Sequence, residues 1–370
     1  MPPIDIATQT IWQLDVCNAC RYCEGYCAVF PALEKRRRVT PNDVVYLANL
    51  CHDCRACFYA CMYAPPHEFG VNIPKALAEV RERTYAQYAY PRVLSDLARR
   101  NAWLVIIGTL LSAVFFVGVT AFNGSLSRLF TAQQGPGAFY EVIPYMAMML
   151  PAMALSVYVV AVLLGGAFTF LRDSGASARE LISPGPVWKA VVDSLVLRYL
   201  RGGDADGCTY PSERASYSRY VLHMLVFYGF ISAFVSTVIA FVLQHSFDLL
   251  PPYPLLSAPV VLGSIGGVAM IVGCSGLLWL KWRSDRAPAD ETTLTLDWLF
   301  LVTLALVNIT GMLLLALRET GAMGVLLIVH IATVLALYVS TPYGKFAHFV
   351  YRVAALVQNR LEARGSSQPH

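Results

Sequence analysis

Hydrophobic and polar positions divide the 370-residue chain into two unlike parts. Up to about residue 100, short apolar groups alternate with charges. The stretch closes on RERTYAQYAYPRVLSDLARRN, which is helical in period and basic. Beyond it come apolar runs of about the 20 residues that a bilayer core requires. Six are read, at roughly 102–122, 144–170, 221–244, 256–281, 296–317 and 322–341. Pro151 interrupts the second, which a membrane helix tolerates when a neighbour satisfies the freed carbonyl. The pattern predicts a mostly α protein: a polar domain over 1–100, a six-span bundle over 101–345 and an amphipathic tail over 346–370.

Composition agrees. Only 14% of residues are charged and mean hydropathy is +0.53, whereas a soluble domain carries about 25% charged residues. The lipid bilayer is therefore an expected partner. The net charge of +4 is spread over loops, which does not suit nucleic acid.

Lys and Arg set the expected orientation. Arg172, Arg179, Lys189, Arg198, Arg201, Arg214 and Arg219 lie in the loop after the second run. Lys281, Arg283 and Arg286 follow the fourth, and Lys345, Arg352, Arg360 and Arg364 follow the sixth. The other loops hold only Arg128 and Arg318. Both termini are expected in the cytoplasm of a bacterium, with the chain in its inner membrane. The opening MPPIDIATQTIWQLD, which lacks a signal-peptide pattern, fits that expectation. Two amphipathic stretches, PVWKAVVDSLVLRYL and FVYRVAALVQNRLEA, suit either the membrane surface or the polar domain.

Eight of ten cysteines fall in two cassettes, CNACRYCEGYC and CHDCRACFYAC. Each is C-x2-C-x2-C-x3-C, the run of two-cluster bacterial ferredoxins, in which the fourth cysteine serves the other cluster. By that pattern Cys17, Cys20, Cys23 and Cys61 hold one [4Fe–4S] cluster, and Cys51, Cys54, Cys57 and Cys27 hold another. A bacterial-ferredoxin-like, α-helical domain is thus expected. Structural zinc favours separated ligand pairs, which these cassettes are not. Ala28 and Met62 stand where the pattern has proline. His52 and His67 lie nearby as surface or neighbouring side chains, since eight thiolates already complete two clusters.

Four of the seven histidines lie in or at the ends of the apolar runs: His223, His245, His330 and His348. Ionisable groups there are costly and point to function. His330 and His348 are 18 residues apart, which returns to the same helical face after about 27 Å. His223 and His245, 22 apart, come within about 40° over about 33 Å. Antiparallel helices would set His223 against His348 and His245 against His330, as ligands of one or two b-type haems. A last span starting near 322 puts His330 about 12 Å inside it, deeper than His245.

No dinucleotide or flavin fingerprint is present, and no nucleophile–base set stands out, so catalytic residues are not expected. Gly263 and Gly267 form a GxxxG packing motif. Asp248, Asp297 and Glu319 read as interface residues, Cys208 as an inert loop thiol and Cys274 as core.

With cassettes and histidines placed, the chain resembles the tricarballylate/citrate-utilisation protein B family. The cassettes carry the match, with YVLHMLVFYGFISAFVST around His223 and VLALYVSTPYGKFAHFVYR around His348. The C-terminal half is similar to nitrate-reductase-type and heterodisulfide-reductase membrane cytochrome b subunits. The resemblance implies a cytochrome b-like bundle and an electron-transfer component of an oxidoreductase system. It also implies that a flavoprotein dehydrogenase oxidises tricarballylate and that electrons pass through clusters and haem to membrane quinone. A quinol-oxidising subunit of a larger complex and a membrane redox sensor are the alternatives.

Overall fold

A computed structural model of the chain describes residues 5–99, 103–124, 126–177, 183–202 and 207–365. Arg179 and the expected domain boundary at 100–101 lie outside the described residues.

The polar domain is built from α1 (Ile6–Cys20), α2 (Val29–Glu34), α3 (Pro41–Leu50), α4 (Ala56–Tyr59) and α5 (Ile73–Tyr88). Local chemistry fixes where the helices begin. The Thr40 side chain accepts from the Asp43 amide while the Asp43 side chain accepts from the Thr40 amide, a capping box, with Pro41 in the first turn. Such a cap stabilises by about 1 kcal/mol. The Asn72 side chain caps α5 by accepting from the Lys75 amide. Leu14, Leu33, Leu47, Leu50 and Leu77 are buried together between these helices.

After α6 (Arg92–Arg99), six helices are long and apolar enough to cross a membrane: α7 (Trp103–Phe122), α9 (Tyr145–Asp173), α11 (Ser218–Phe247), α12 (Ala258–Arg283), α13 (Glu291–Leu317) and α14 (Met323–Ser340). A short α8 (Ala138–Val142) precedes α9. Several outlast their apolar runs. Helical hydrogen bonding continues through polar end turns, as at α13, where the Asp290 side chain caps the Thr293 amide. Pro151 lies inside α9 without ending it. Much of the apolar surface of these helices is not covered by the rest of the chain, as expected of a multi-pass membrane protein.

The spans pack in sequence: α11 on α12, α12 on α13, α13 on α14, and α14 on α7 and α9. The GxxxG pair divides its work. Gly263 faces Ser236 on α11, whereas Gly267 faces Met312 on α13. The closest backbone approach of α11 and α12 is Gly266 against Gly229, where an added Cβ would meet the Gly229 carbonyl at 2.6 Å.

The connections 174–217 and 284–290 and the tail all meet the cysteine domain. They include α10 (Pro184–Leu195), a two-stranded antiparallel ribbon of β1 (Cys208–Thr209) and β2 (Ala215–Ser216), and α15 (His348–Gly365). Both amphipathic stretches pack on protein. α10 lies on α15, and α15 lies on α3 and α9. Tyr351, Ala355 and Leu356 of α15 share one core with Leu33, Leu47 and Leu77. The Arg36 guanidinium holds Glu362 at 2.6 Å and Asp43 at 2.7 Å, and Arg360 pairs with Asp193.

Candidate redox centres

The two cassettes exchange their fourth cysteines. One cavity of about 380 Å³ is lined by Cys17, Cys20, Cys23 and Cys61. A second, of about 350 Å³, is lined by Cys27, Cys51, Cys54 and Cys57. Among the described residues no three His, Cys, Asp or Glu side chains are gathered closely enough for a single ion. Four sulfurs around a cavity are instead the arrangement that a multi-iron cluster takes. No disulfide joins any of them.

Backbone geometry supports this reading. Arg21, Asp53 and Arg55, all between or beside cassette cysteines, have φ of 55°, 53° and 66°. Non-glycine residues in that region are uncommon and carry a cost. The turns aim amides at sulfur. The Asp53 amide donates to Cys51 Sγ at 3.4 Å, the Val29 and Phe30 amides favour the Cys27 thiolate, and the Ala56 amide favours that of Cys54. Ala28 begins α2 at φ −68°, a value proline also adopts.

The thiols oppose one another's ionisation. Burial, then Cys61, Cys23 and Cys20, pushes Cys17 up to about 12. Burial, then Cys54 and Cys51, holds Cys27 well above its ordinary value. Four thiolates in one such cage need a cationic partner. The cages differ in exposure: Cys20 is exposed, whereas Cys51 and Cys54 are buried.

Some neighbours were not foreseen. Cys208, expected as an inert loop thiol, has a specific place. It is fully buried in the cluster of side chains that includes Cys54, and the Thr209 amide donates to the Cys54 carbonyl at 3.1 Å. His52 lines the second cage and bonds the Leu50 carbonyl through Nδ1 at 2.9 Å. His67 Nδ1 accepts from the Phe69 amide at 3.1 Å.

Beyond the second cage stand two of the four histidines. The rings of His223 on α11 and His348 on α15 have centroids 6.3 Å apart and planes at 87°. A metal–nitrogen bond of about 2.0–2.1 Å on each side, plus the ring radius, spans roughly that separation. His348 Nδ1 donates to the Lys345 carbonyl at 2.6 Å, which leaves Nε2 as the ligand atom. Burial and the Lys345 ammonium hold His348 well below the usual imidazole range, and neutral imidazole is the form that ligates. His223 Nδ1 is buried without a hydrogen-bond partner. The pair therefore fits bis-histidine ligation.

His245 and His330 are not set against each other. His245 donates from Nδ1 to the Phe241 carbonyl at 2.8 Å, and its Nε2 meets the Tyr145 hydroxyl at 2.7 Å. His330 Nδ1 lies 3.1 Å from Thr310 Oγ1, and its ring lies over Gly311 of α13. The reason is depth and neighbour. His330 lies about 10 Å into α14, and α14 packs on α13 rather than along α11.

Two arginines join the histidine pair to the second cage. Arg352, four residues after His348, donates to the Cys51 carbonyl at 2.7 Å. Arg219, four residues before His223, donates to the Asp53 carbonyl. Arg81 adds a second donor to the Cys51 carbonyl at 2.8 Å. The sequence signals are R-x3-H at Arg219 and H-x3-R at His348, which in the sequence show only as loop charge. Asp297 also departs from its reading as an interface residue. It is buried and paired with Lys281 and Lys345.

Comparison with known proteins accords with this arrangement. The family model "Citrate utilization protein B" matches residues 97–368. The model "Citrate utilization protein B Fer4-like domain" matches residues 10–87, the part that holds both cages. Citrate utilization protein B of Escherichia coli is 40% identical over 358 residues, covering 96% of this chain and 92% of that protein. No solved structure matches. The chain belongs to the citrate utilization protein B family.

Proposed function

We propose that the chain carries electrons from a reduced flavoprotein dehydrogenase through two [4Fe–4S] clusters and b-type haem to membrane quinone. One observation carries the reading. A cage with one exposed cysteine, a cage with two buried ones and a histidine pair stand in succession, the last two joined through Arg219 and Arg352. When bound, the clusters and haem supply one-electron carriers.

The chain's own residues supply placement. Cys17, Cys20, Cys23 and Cys61 form the entry site, because Cys20 is open to solvent. Trp12, Tyr22, Met62 and Phe69 are exposed apolar side chains on the same domain, a surface suited to a docking dehydrogenase. Cys27, Cys51, Cys54 and Cys57 form the inner site. His223 and His348 hold haem, and the Lys345 carbonyl fixes the tautomer of His348. The donor is a tricarboxylate dehydrogenase of the tricarballylate type. This follows the family resemblance, and the name of the Escherichia coli relative says citrate utilization. The chain performs no bond chemistry on carbon. The basic loops all lie on the cysteine-domain side, which supports cytoplasmic termini in a bacterial inner membrane.

Purified full-length protein tests this directly. It should show a Soret band that splits on dithionite reduction, lost in His223→Ala and in His348→Ala. A reduced flavoprotein dehydrogenase should reduce the haem rapidly in wild type and not in Cys54→Ser. Absence of the Soret band overturns the reading.

A further inference from the structure

A cleft of about 460 Å³ lies between α7 and α13, which flank α14. Leu104, Leu299, Phe300, Leu337 and Phe346 make it apolar, and Lys345 lines it too. Resting on the electron-transfer reading above, we propose that this cleft binds the quinone ring, with the Lys345 ammonium donating to a quinone carbonyl oxygen.

The charges at Lys345 are unusual for the edge of a membrane bundle. Its Nζ lies 2.7 Å from Asp297 and 3.3 Å from Glu82, and Asp297 also holds Lys281. Glu82 and Asp297 are both buried. Buried ion pairs are weak stabilisers compared with apolar packing, so burial of these charges at the bundle edge points to a role other than stability. An ammonium has three N–H donors. Two face carboxylates here, which leaves one for an acceptor in the cleft.

The same charges select the ligand. Glu82 and Asp297 pair with both ammonium groups, so neither is left as an unpaired charge for a lipid phosphate. A neutral carbonyl acceptor on a flat ring fits both the apolar walls and the single free donor. The cleft is also next to the histidine pair. The carbonyl of Lys345 accepts from His348, and Phe346 packs edge-on against Phe230 of the His223 helix, with centroids 5.0 Å apart. A quinone ring there sits beside the haem ligands, and its isoprenoid tail passes between α7 and α13 toward lipid.

The test is photolabelling of full-length protein in lipid nanodiscs with an azido-ubiquinone, followed by peptide mapping. Label is expected on segments 296–303 and 337–346, and decylubiquinone should compete it away. Leu337→Trp and Val105→Trp, which fill the cleft from two walls, should each lose the label while keeping the Soret band and iron content. Label elsewhere, or label that both variants retain, overturns the proposal. So does label displaced by cardiolipin but not by decylubiquinone, which identifies a lipid site. Each of these results leaves the electron-transfer reading standing if the flavoprotein still reduces the haem. A chain without haem that is labelled in the cleft fails that reading and keeps the site.

Discussion

Arg352 donates to the main-chain carbonyl of Cys51 at 2.7 Å, one helical turn beyond His348. The mirror contact runs from Arg219, one turn before His223, to the Asp53 carbonyl. One cysteine loop is thus held by both helices that present the histidine pair. A hydrogen bond from a charged donor contributes roughly 1.5–3 kcal/mol. The larger consequence is for coupling between centres. In the double variant Arg219→Gln/Arg352→Gln, reduction of haem by the flavoprotein should slow, while dithionite still reduces it fully. Arg352→Lys should recover part of the rate, since it keeps the charge and loses the planar fork. Stopped-flow absorbance in the Soret region reads the difference. An unchanged rate in the double variant would place the route elsewhere.

The exchange of fourth cysteines makes a pairwise prediction. Cys61→Ser should resemble Cys20→Ser, and Cys27→Ser should resemble Cys54→Ser, although Cys27 belongs by sequence to the first cassette. Iron analysis should give about half the wild-type content in each, one cluster of two. Paramagnetic resonance of the reduced protein should show two classes of residual signal, sorted by cage. Sorting by cassette would contradict the cavities seen here.

Much of this was legible in the sequence because cysteine spacing along one chain limits what a cluster loop can reach. The two-cluster ferredoxin pattern groups Cys61 with the first cassette and Cys27 with the second, and the two cavities are lined in that way. His223 and His348 were legible because helical period and antiparallel order put them at one end. His245 and His330 share that logic but not that outcome. Period gives the face and the rise of a residue, not which neighbour its helix packs against, and α14 turns His330 to Thr310 and Gly311 of α13. Arg219 and Arg352 were visible only as positive charge, since a carbonyl acceptor more than 150 residues away leaves no local trace. Cys208 was hidden for the same reason: its neighbour Cys54 is on another segment.

Docking of the tail on the cysteine domain should depend on pH through Asp43. Burial pushes its carboxyl up, but the Thr40 hydroxyl and amide and then the Arg36 guanidinium outweigh burial and hold it below its ordinary value. A depressed carboxyl contributes stability above its unfolded value, near 3.8, and that stability is lost as pH falls through the folded value. Asp43→Asn should therefore cost about 1 kcal/mol near pH 6, and the gap from wild type should close as pH falls toward 3. Hydrogen exchange in α15 at the two pH values measures it. A gap that widens in acid would reverse the assignment.

The number of haems follows from the hydrogen bonds of the remaining histidines. A ligating imidazole needs one nitrogen free for iron and usually commits the other to a carbonyl or carboxylate. His348 satisfies both conditions, and the His223 ring stands opposite at 6.3 Å. His245 has both nitrogens engaged, by Phe241 and Tyr145, on an exposed ring. His330 has a hydroxyl on Nδ1 and no facing imidazole among the described residues. One haem per chain is therefore expected, measured as pyridine haemochrome against protein. His245→Ala and His330→Ala should keep the full Soret amplitude and the midpoint potential of the haem. His223→Ala should lose both. Two haems per chain, with His330→Ala removing one, would show that α11 and α14 approach each other more closely in the loaded protein than they do here.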